Sequence, residues 1–531
     1  MILRRLGRLA AIAAAAMLEI SCGQVYRPVV IPTGIIRPNP QDFHAVFAIN
    51  VNVPFSPGTA LQIDVSGDSN IGSENMGFNP VHAAILPNNS RVFVASAGSL
   101  FPGDADTVMA FTPASDSASA TGLGSPTIFS LPNFGPAVTG QPAWSCSYLP
   151  DFVTTTQQGF VYLANYGVEN AASCNANLPS TDSVAILSTT TNTITNITYL
   201  GAGTHPVAMA ETPDALNLYV LNQGTNSVSD LSPTDLSTLA TIPVSGLPTW
   251  VVSRQDSRRV YVLTQGGGQL IPIDTATNTI LSSQTNLNVG AGANFVLYDH
   301  ALNRLYVTNP ATGTVYVFLA TGGVDSTGAA NDTPTLLATI SMAGGANPSC
   351  PNGCSPVSVT ALPDGSRFYV ASYELESACQ DPNVVNSGGS PAPCIIPMLT
   401  VFDAASMTVK PVSSTLLAAP SLSLLTSPPF PGTQYAVAQA PSCVTAATYS
   451  PDTVRFRMFT ASSIDSTHVY VSICDAGVIA DIDTVTSSIS TGGSNNPDTV
   501  ITNIAPPFSS GPIQLDGEPL NQSPVFLLTG Q

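Results

Sequence analysis

Histidine is the side chain most often used for acid–base chemistry and metal binding, and this chain of 531 residues contains five. Two of them, His82 and His205, lie beside Pro-Val pairs that begin short apolar stretches. If those stretches are the inner strands of one fold, the two imidazoles could converge and bind a metal. Each histidine alone is better interpreted as a hydrogen-bonded structural residue. The sequence therefore predicts no metal site, with His82 and His205 as weak candidates.

Local catalytic motifs are absent from the sequence. It contains no Gly-x-Ser-x-Gly nucleophile turn, no His-Glu-x-x-His zinc motif and no phosphate-binding loop. It also has no Cys-x-x-Cys-His segment for covalent haem attachment. From the sequence we predict no catalytic residue and no cofactor.

Cysteine is the other reactive residue type, with nine copies. Apart from Cys22 they form an even set, which is typical of disulfides in an exported protein. The close pair Cys350 and Cys354 could instead be half of a zinc site, but no second close pair with a nearby histidine completes it. Pairing cysteines that are neighbours in sequence predicts four bonds: Cys146–Cys174, Cys350–Cys354, Cys379–Cys394 and Cys443–Cys474.

The first 22 residues have the layout of a signal peptide, with three arginines before a short apolar stretch. The ending Ile20-Ser21-Cys22-Gly23 resembles a bacterial lipobox, except that Glu19 stands where leucine is usual. A plain signal peptide cut elsewhere is the alternative. Proline-rich residues 23–41 are expected to form a tether. We therefore expect a lipoprotein of the bacterial cell envelope, anchored through Cys22 on the periplasmic or surface side.

Charge limits the possible partners. Charged residues make up 9% of the chain, the net charge is −19, and Lys410 is the only lysine. No basic stripe is available for nucleic acid. The expected partner is an unknown envelope protein or extracellular ligand, with membrane contact through the lipid anchor only and a monomeric state.

One pattern recurs seven times between residues 79 and 490. A polar turn leads into a strand in which valine or leucine follows an aromatic residue. A second hairpin follows in most units, so each unit has about four short strands. From Tyr219 to Tyr261 to Tyr306 the spacing is 42 and then 45 residues, which matches one propeller blade. A β-sandwich would explain the strands but not the repeat. The seven aromatic residues are Phe93, Tyr162, Tyr219, Tyr261, Tyr306, Tyr369 and Tyr470.

We therefore predict an all-β fold for residues 42–531, a β-propeller of four-stranded antiparallel blades. Residues 44–51, 60–65 and 524–528 read as strands of one more blade, in which the two termini meet and close the ring. They make either an eighth blade or the missing outer strands of seven, and seven is favoured. Loop insertions are expected near 374–397 and 413–442.

Tyr306-Val307-Thr308-Asn309 is the signature of the YVTN β-propeller repeat family, and the repeat region resembles that family. The resemblance implies a secreted or surface-attached propeller, and most such proteins have no assigned activity. The function expected from it is a non-enzymatic binding or interaction scaffold, so the protein is predicted not to be an enzyme. The alternative is a propeller enzyme of lactonase-like or oxidoreductase type with its site in the central channel.

Overall fold

The computed structural model describes residues 45–52, 56–64, 69–97, 107–114, 123–131, 148–156, 159–167, 180–281, 287–321, 332–342, 353–376, 394–410, 421–423, 435–436, 443, 456–485, 497–513 and 519–530. These residues form 35 strands, and Cys474–Ala476 forms a 3-10 turn. In the described part of the chain, no helix is long and apolar enough to cross a membrane.

The strands of the first half of the chain follow the repeat. β1 to β3 span Ala45–Val51, Pro57–Asp64 and Ser69–Phe78. β4 to β7 span Pro80–Ile85, Val92–Ser96, Thr107–Phe111 and Thr127–Ser130. β8 to β11 span Pro150–Thr155, Val161–Asn165, Ser183–Ser188 and Thr193–Tyr199. β12 to β15 span Pro206–Glu211, Leu218–Asn222, Ser227–Leu231 and Thr238–Pro243. β16 to β19 span Pro248–Ser253, Arg259–Thr264, Gln269–Asp274 and Thr279–Ile280.

The second half continues in the same way. β20 to β23 span Phe295–Asp299, Arg304–Asn309, Thr314–Leu319 and Thr335–Ser341. β24 to β28 span Cys354–Ala361, Arg367–Glu376, Cys394–Asp403, Ser421–Ser423 and Tyr435–Ala436. β29 to β32 span Met458–Ser462, His468–Ile473, Val478–Asp483 and Thr499–Ile504. β33 to β35 span Phe508–Ile513, Pro519–Asn521 and Ser523–Thr529.

The molecule is an eight-bladed β-propeller. Blades 1 to 7 begin with β4, β8, β12, β16, β20, β24 and β29, and each has four antiparallel strands in sequence order, with β28 added beside β26 in blade 6. Blade 8 takes its first strand, β35, from the C-terminus and the other three, β1 to β3, from the N-terminus. First strands of neighbouring blades touch all the way round, and β35 against β4 closes the ring. The all-β propeller prediction is confirmed, with eight blades rather than the favoured seven.

The two predicted insertions fall mostly outside the described residues. In blade 6, β25 and β26 are ten residues long, so residues 374–376 and 394–397 belong to a hairpin. Residues 421–423 and 435–436 pair with β26, so part of the second insertion supplies outer strands of that blade.

The two faces of the ring differ in the connections they carry. We call upper the face where the chain enters each first strand; it carries the connections from strand 4 to strand 1 and from strand 2 to strand 3. The lower face carries the hairpin turns between strands 1 and 2 and between strands 3 and 4. His205 and Asn165 therefore lie at the upper face, and the turn at Asp214 lies at the lower one.

The aromatic residues of the repeat hold adjacent blades together. All seven are fully buried, as their recurrence in the middle of second strands predicts. Four of the tyrosine hydroxyls also donate a hydrogen bond to the lower-face turn between strands 3 and 4 of the next blade, so each ring fills an interblade space and its hydroxyl fixes the spacing. The acceptors are the Pro233 carbonyl for Tyr162 (2.9 Å), Asn278 for Tyr219 (2.7 Å), the Ala320 carbonyl for Tyr261 (2.6 Å) and Asp498 for Tyr369 (2.5 Å).

The asparagine of the signature has a separate structural task. Asn309 ends β21 and is fully buried. Its amide nitrogen donates to the carbonyls of Val289 and Gly290 on the connection from blade 4, at 2.7 and 2.9 Å. Its amide oxygen accepts the N–H groups of Ala311 and Thr312. One side chain thus satisfies two upper-face loops whose backbone groups have no strand partner.

A disulfide joins Cys443 to Cys474, with Cα atoms 5.6 Å apart, and Cys354 is also disulfide-bonded. Bonded cysteines belong to an oxidising compartment, which agrees with export. Cys22, Cys146, Cys174, Cys350 and Cys379 lie outside the described residues. For Cys394, at the start of β26, only the backbone is described.

Candidate active site

The central channel is filled by aromatic side chains. In each blade, one residue of the first strand pairs with the second-strand residue two positions after the repeat aromatic or its equivalent. These paired first-strand residues lie at the same level of the channel. From blade 1 to blade 8 these positions are His82, Phe152, Ala208, Trp250, Phe295, Ser358, Phe459 and Phe526. Six of the eight are rings, as is typical of a wide channel that must be packed.

The six rings touch in a closed circuit. Their centroids are 4.0 to 5.9 Å apart, and Phe456 packs against Trp250, Phe295 and Phe459. We call the six rings, without Phe456, the channel ring. The circuit runs His82–Phe152 (4.0 Å), Phe152–Trp250 (5.9 Å), Trp250–Phe295 (5.1 Å), Phe295–Phe459 (5.6 Å), Phe459–Phe526 (4.5 Å) and Phe526–His82 (4.3 Å).

His82 is a neutral member of the channel ring. Its Nδ1 lies 3.1 Å from the carbonyl oxygen of Val153, so this nitrogen carries the hydrogen and donates it. Burial lowers the pKa of His82 to about 3, although the backbone hydrogen bond acts in the opposite direction. The imidazole therefore packs as a stacked ring against Phe152.

Replacing His82 with phenylalanine should remove a pH-dependent loss of stability. An unfolded histidine takes up a proton near pH 6.5, whereas the folded His82 does so only near pH 3. Folding must therefore release that proton between these values, and stability falls as the pH falls. The melting temperature of H82F minus that of the parent should therefore increase as the pH falls from 7 to 4. Circular dichroism melts test this, with H300Q at an exposed histidine as control; parallel curves for H82F and parent would contradict it.

A polar pair lies at the upper face, between blades 2 and 3. His205 precedes β12, and Asp182 precedes β10. The two side chains approach to 3.2 Å between Nδ1 and Oδ1, with Asp182 fully buried and His205 15% exposed. The imidazole also stacks on the ring of Tyr166, at 4.3 Å and an interplanar angle of 9°. We call His205 and Asp182 the rim dyad.

The local backbone explains how the rim dyad forms. His205 has a left-handed φ of 48°, and the residues before the first-strand prolines of other blades, Asn79, Leu149 and Leu247, have the same conformation. The turn is thus a property of the repeat, and only blade 3 puts a histidine there. Gly167 makes room for the carboxylate, because a Cβ at that glycine would lie 2.2 Å from Oδ1 of Asp182.

The hydrogen bond to the Tyr166 carbonyl fixes the tautomer of His205. Its Nδ1 lies 2.9 Å from the carbonyl of Tyr166 and 3.2 Å from the carboxylate of Asp182, and both of these groups can only accept. Nδ1 therefore carries the hydrogen in the neutral imidazole, and the lone pair is on Nε2. The other carboxylate oxygen accepts from the Ser180 hydroxyl at 2.6 Å. A carboxylate held beside Nδ1–H stabilises the imidazolium that forms when Nε2 takes a proton.

The two histidines singled out from the sequence have different surroundings. His82 packs in the channel ring, and His205 belongs to the rim dyad. Among the described residues, no group of three histidine, cysteine, aspartate or glutamate side chains could hold a metal ion. The missed residue is Asp182, which no local motif marks.

The ring of eight four-stranded blades defines the fold class, and solved structures share it. No family model matches the chain, and no curated protein matches its sequence. The dihydro-heme d1 dehydrogenase NirN has a TM-score of 0.50 at 10% identity, over 92% of this chain and 75% of its own. AztD of Citrobacter koseri has a TM-score of 0.48 at 12% identity, over 92% and 99% of the two chains. The periplasmic gluconolactonase PpgL of Pseudomonas aeruginosa has a TM-score of 0.44 at 12% identity, with the same coverage.

These comparisons correct the prediction of a non-enzymatic scaffold. A dehydrogenase shares this propeller fold, so predicting from the repeat that the protein is not an enzyme was wrong. The error has a physical cause. It relied on the absence of local motifs, but a propeller can build a site from different blades. Asp182 and His205 show how side chains far apart in sequence can meet, since they come together across the boundary of blades 2 and 3.

Proposed function

We propose that this protein is a propeller enzyme that hydrolyses a lactone or a similar activated ester at the upper face, with His205 as general base. The supporting observation is the position of His205 Nδ1 between two acceptors, which leaves the lone pair on Nε2. The imidazole is 15% exposed, so part of the ring is open to solvent at the upper face.

The proposed reaction needs only the substrate, one water and the rim dyad. Nε2 of His205 takes a proton from water while the water oxygen forms a bond to the acyl carbon. The acyl C–O bond then breaks, and the leaving alkoxide receives that proton back from Nε2. Asp182 stabilises the intervening imidazolium and keeps the ring orientation. The product is the hydroxy acid, and the imidazole returns to its neutral form.

Hydrolysis of an unsubstituted lactone tests this proposal. Acid release from δ-valerolactone by the purified mature protein can be followed with a pH indicator, against buffer alone. Catalysed release that depends on His205 is expected. Release equal to the buffer rate for this lactone, for hydroxylated lactones and for a panel of simple esters would overturn the proposed activity.

We also propose that the enzyme is anchored outside the cytoplasm through a lipid on Cys22. The signal-like residues 1–22 support this, and so do the bonded cysteines Cys354, Cys443 and Cys474. C22S should move the protein from the membrane fraction to the soluble fraction. Several acyl chains anchor a protein stably in a membrane, and without Cys22 no chain can be attached. Fractionation and mass spectrometry of the mature N-terminus measure this. An unmodified terminus downstream of residue 22 in the parent would contradict it.

A further inference from the structure

The upper face holds a buried side chain without a hydrogen bond. Gln223 is 2% exposed, and neither its amide nitrogen nor its amide oxygen has a partner. Its backbone N–H donates to the carbonyl oxygen of His205 at 3.0 Å, which places the main chain of this glutamine beside that of His205. A buried amide left unpaired in this way costs free energy, so its presence calls for a partner outside the chain.

The chemistry of the carboxamide specifies that partner. One end donates and the other accepts, so a matching group must do both. A hydroxyl does both with a single oxygen, and two neighbouring hydroxyls match the two ends of the amide. A phosphate at neutral pH offers mostly acceptors and would leave the amide oxygen unpaired.

The distribution of positive charge points the same way. The described residues include eight arginine and lysine side chains, and seven of them lie at the lower face: Arg91, Arg254, Arg258, Arg259, Arg304, Arg367 and Lys410. The eighth, Arg457, precedes β29 in blade 7, across the ring from blade 3, where it covers the ring of Tyr373. Recognition of a phosphate or carboxylate normally uses such cations. Within the described residues, then, the rim dyad has acidic and neutral neighbours.

From these two observations we infer that the rim dyad acts on an uncharged, hydroxyl-bearing lactone and that the Gln223 carboxamide binds a substrate hydroxyl. This inference rests on the proposed function and specifies its substrate. The net charge of −19 acts in the same direction, since it lowers the local concentration of anionic substrates.

Three lactones test the inference. D-glucono-1,5-lactone carries hydroxyls, its 6-phosphate adds negative charge, and δ-valerolactone has neither. The parent should hydrolyse gluconolactone with a kcat/KM at least about tenfold above that of the phosphate, and added salt should narrow the gap by screening repulsion. Q223M keeps the side-chain volume and removes both polar atoms. It should raise the KM for gluconolactone about tenfold, the value of one hydrogen bond, with kcat and the δ-valerolactone kinetics nearly unchanged.

A ligand-free measurement supports the same test. Q223M should melt at a higher temperature than the parent, because it removes an unpaired buried amide. Equal or better hydrolysis of the phosphate would overturn the inference about charge. An unchanged KM for gluconolactone in Q223M, or an equal loss on all three lactones, would overturn the role of Gln223. Hydrolysis of none of the three would instead reject the proposed function itself, so the two failures are distinguishable.

Discussion

Replacing His205 with asparagine should lower kcat/KM for lactone hydrolysis by about 100- to 10,000-fold, the usual contribution of a positioned general base. Asparagine is the substitution of choice because His205 has a left-handed φ of 48°, a conformation that asparagine adopts readily. Blade 1 carries this arrangement naturally, since Asn79 precedes Pro80 with a φ of 56°. H205N should therefore fold normally, and its loss of rate should reflect lost chemistry.

The companion variant separates the base from its orienting carboxylate. D182N keeps an oxygen for the Ser180 hydroxyl but removes the negative charge beside Nδ1 of His205. Its kcat should fall about 100-fold, while the KM stays close to that of the parent. D235N, at a lower-face turn carboxylate bonded to Ser237, is the matched control and should retain full activity. Parent-like rates for H205N with a parent-like melting curve would exclude His205 as the base.

Much of the fold follows from local sequence pattern. Each aromatic-valine strand lies between a turn and a second hairpin, and short-range spacing alone identifies it. The number of blades is harder to predict, because blade 8 has no contiguous copy in the sequence. Its first strand, Ser523–Thr529, pairs with Ala45–Val51 from the other end of the chain. Each half satisfies the strand pattern alone, so sequence could not distinguish an eighth blade from spare outer strands.

The candidate site could be predicted only in part. His205 was identifiable because it stands before Pro206, where blades 2 and 4 have leucine. Asp182 was not, since it lies 23 residues earlier in another blade, and its proximity to His205 depends on how the two blades pack. The unpaired amide of Gln223 is likewise a property of packing. Catalytic groups contributed by different blades leave no fixed spacing for a motif search to detect.

The largest stability effect is expected at Asp498, in the lower-face turn between β31 and β32 of blade 7. This carboxylate is 1% exposed and accepts three hydrogen bonds from blade 6. Arg367 and the hydroxyl of Tyr369 each donate to Oδ1 at 2.5 Å, and Lys410 donates to Oδ2 at 3.0 Å. One buried anion therefore compensates two cations and the hydroxyl of a repeat tyrosine. Removing its charge takes away the anion that both cations share at the interblade contact.

D498N should lower the free energy of unfolding by about 3–5 kcal/mol, as expected when one partner of a buried ion pair is lost. Asparagine is suitable because Asp498 has a left-handed φ of 63°, so backbone strain will not add to the effect. Guanidinium denaturation with an unchanged m-value measures the loss. The control is D403N, a turn carboxylate of blade 6 that accepts from the backbone N–H and the hydroxyl of Ser406 and should shift the midpoint little. If the denaturation midpoint of D498N shifts as little from that of the parent as the midpoint of D403N does, this ion cluster does not hold blades 6 and 7 together.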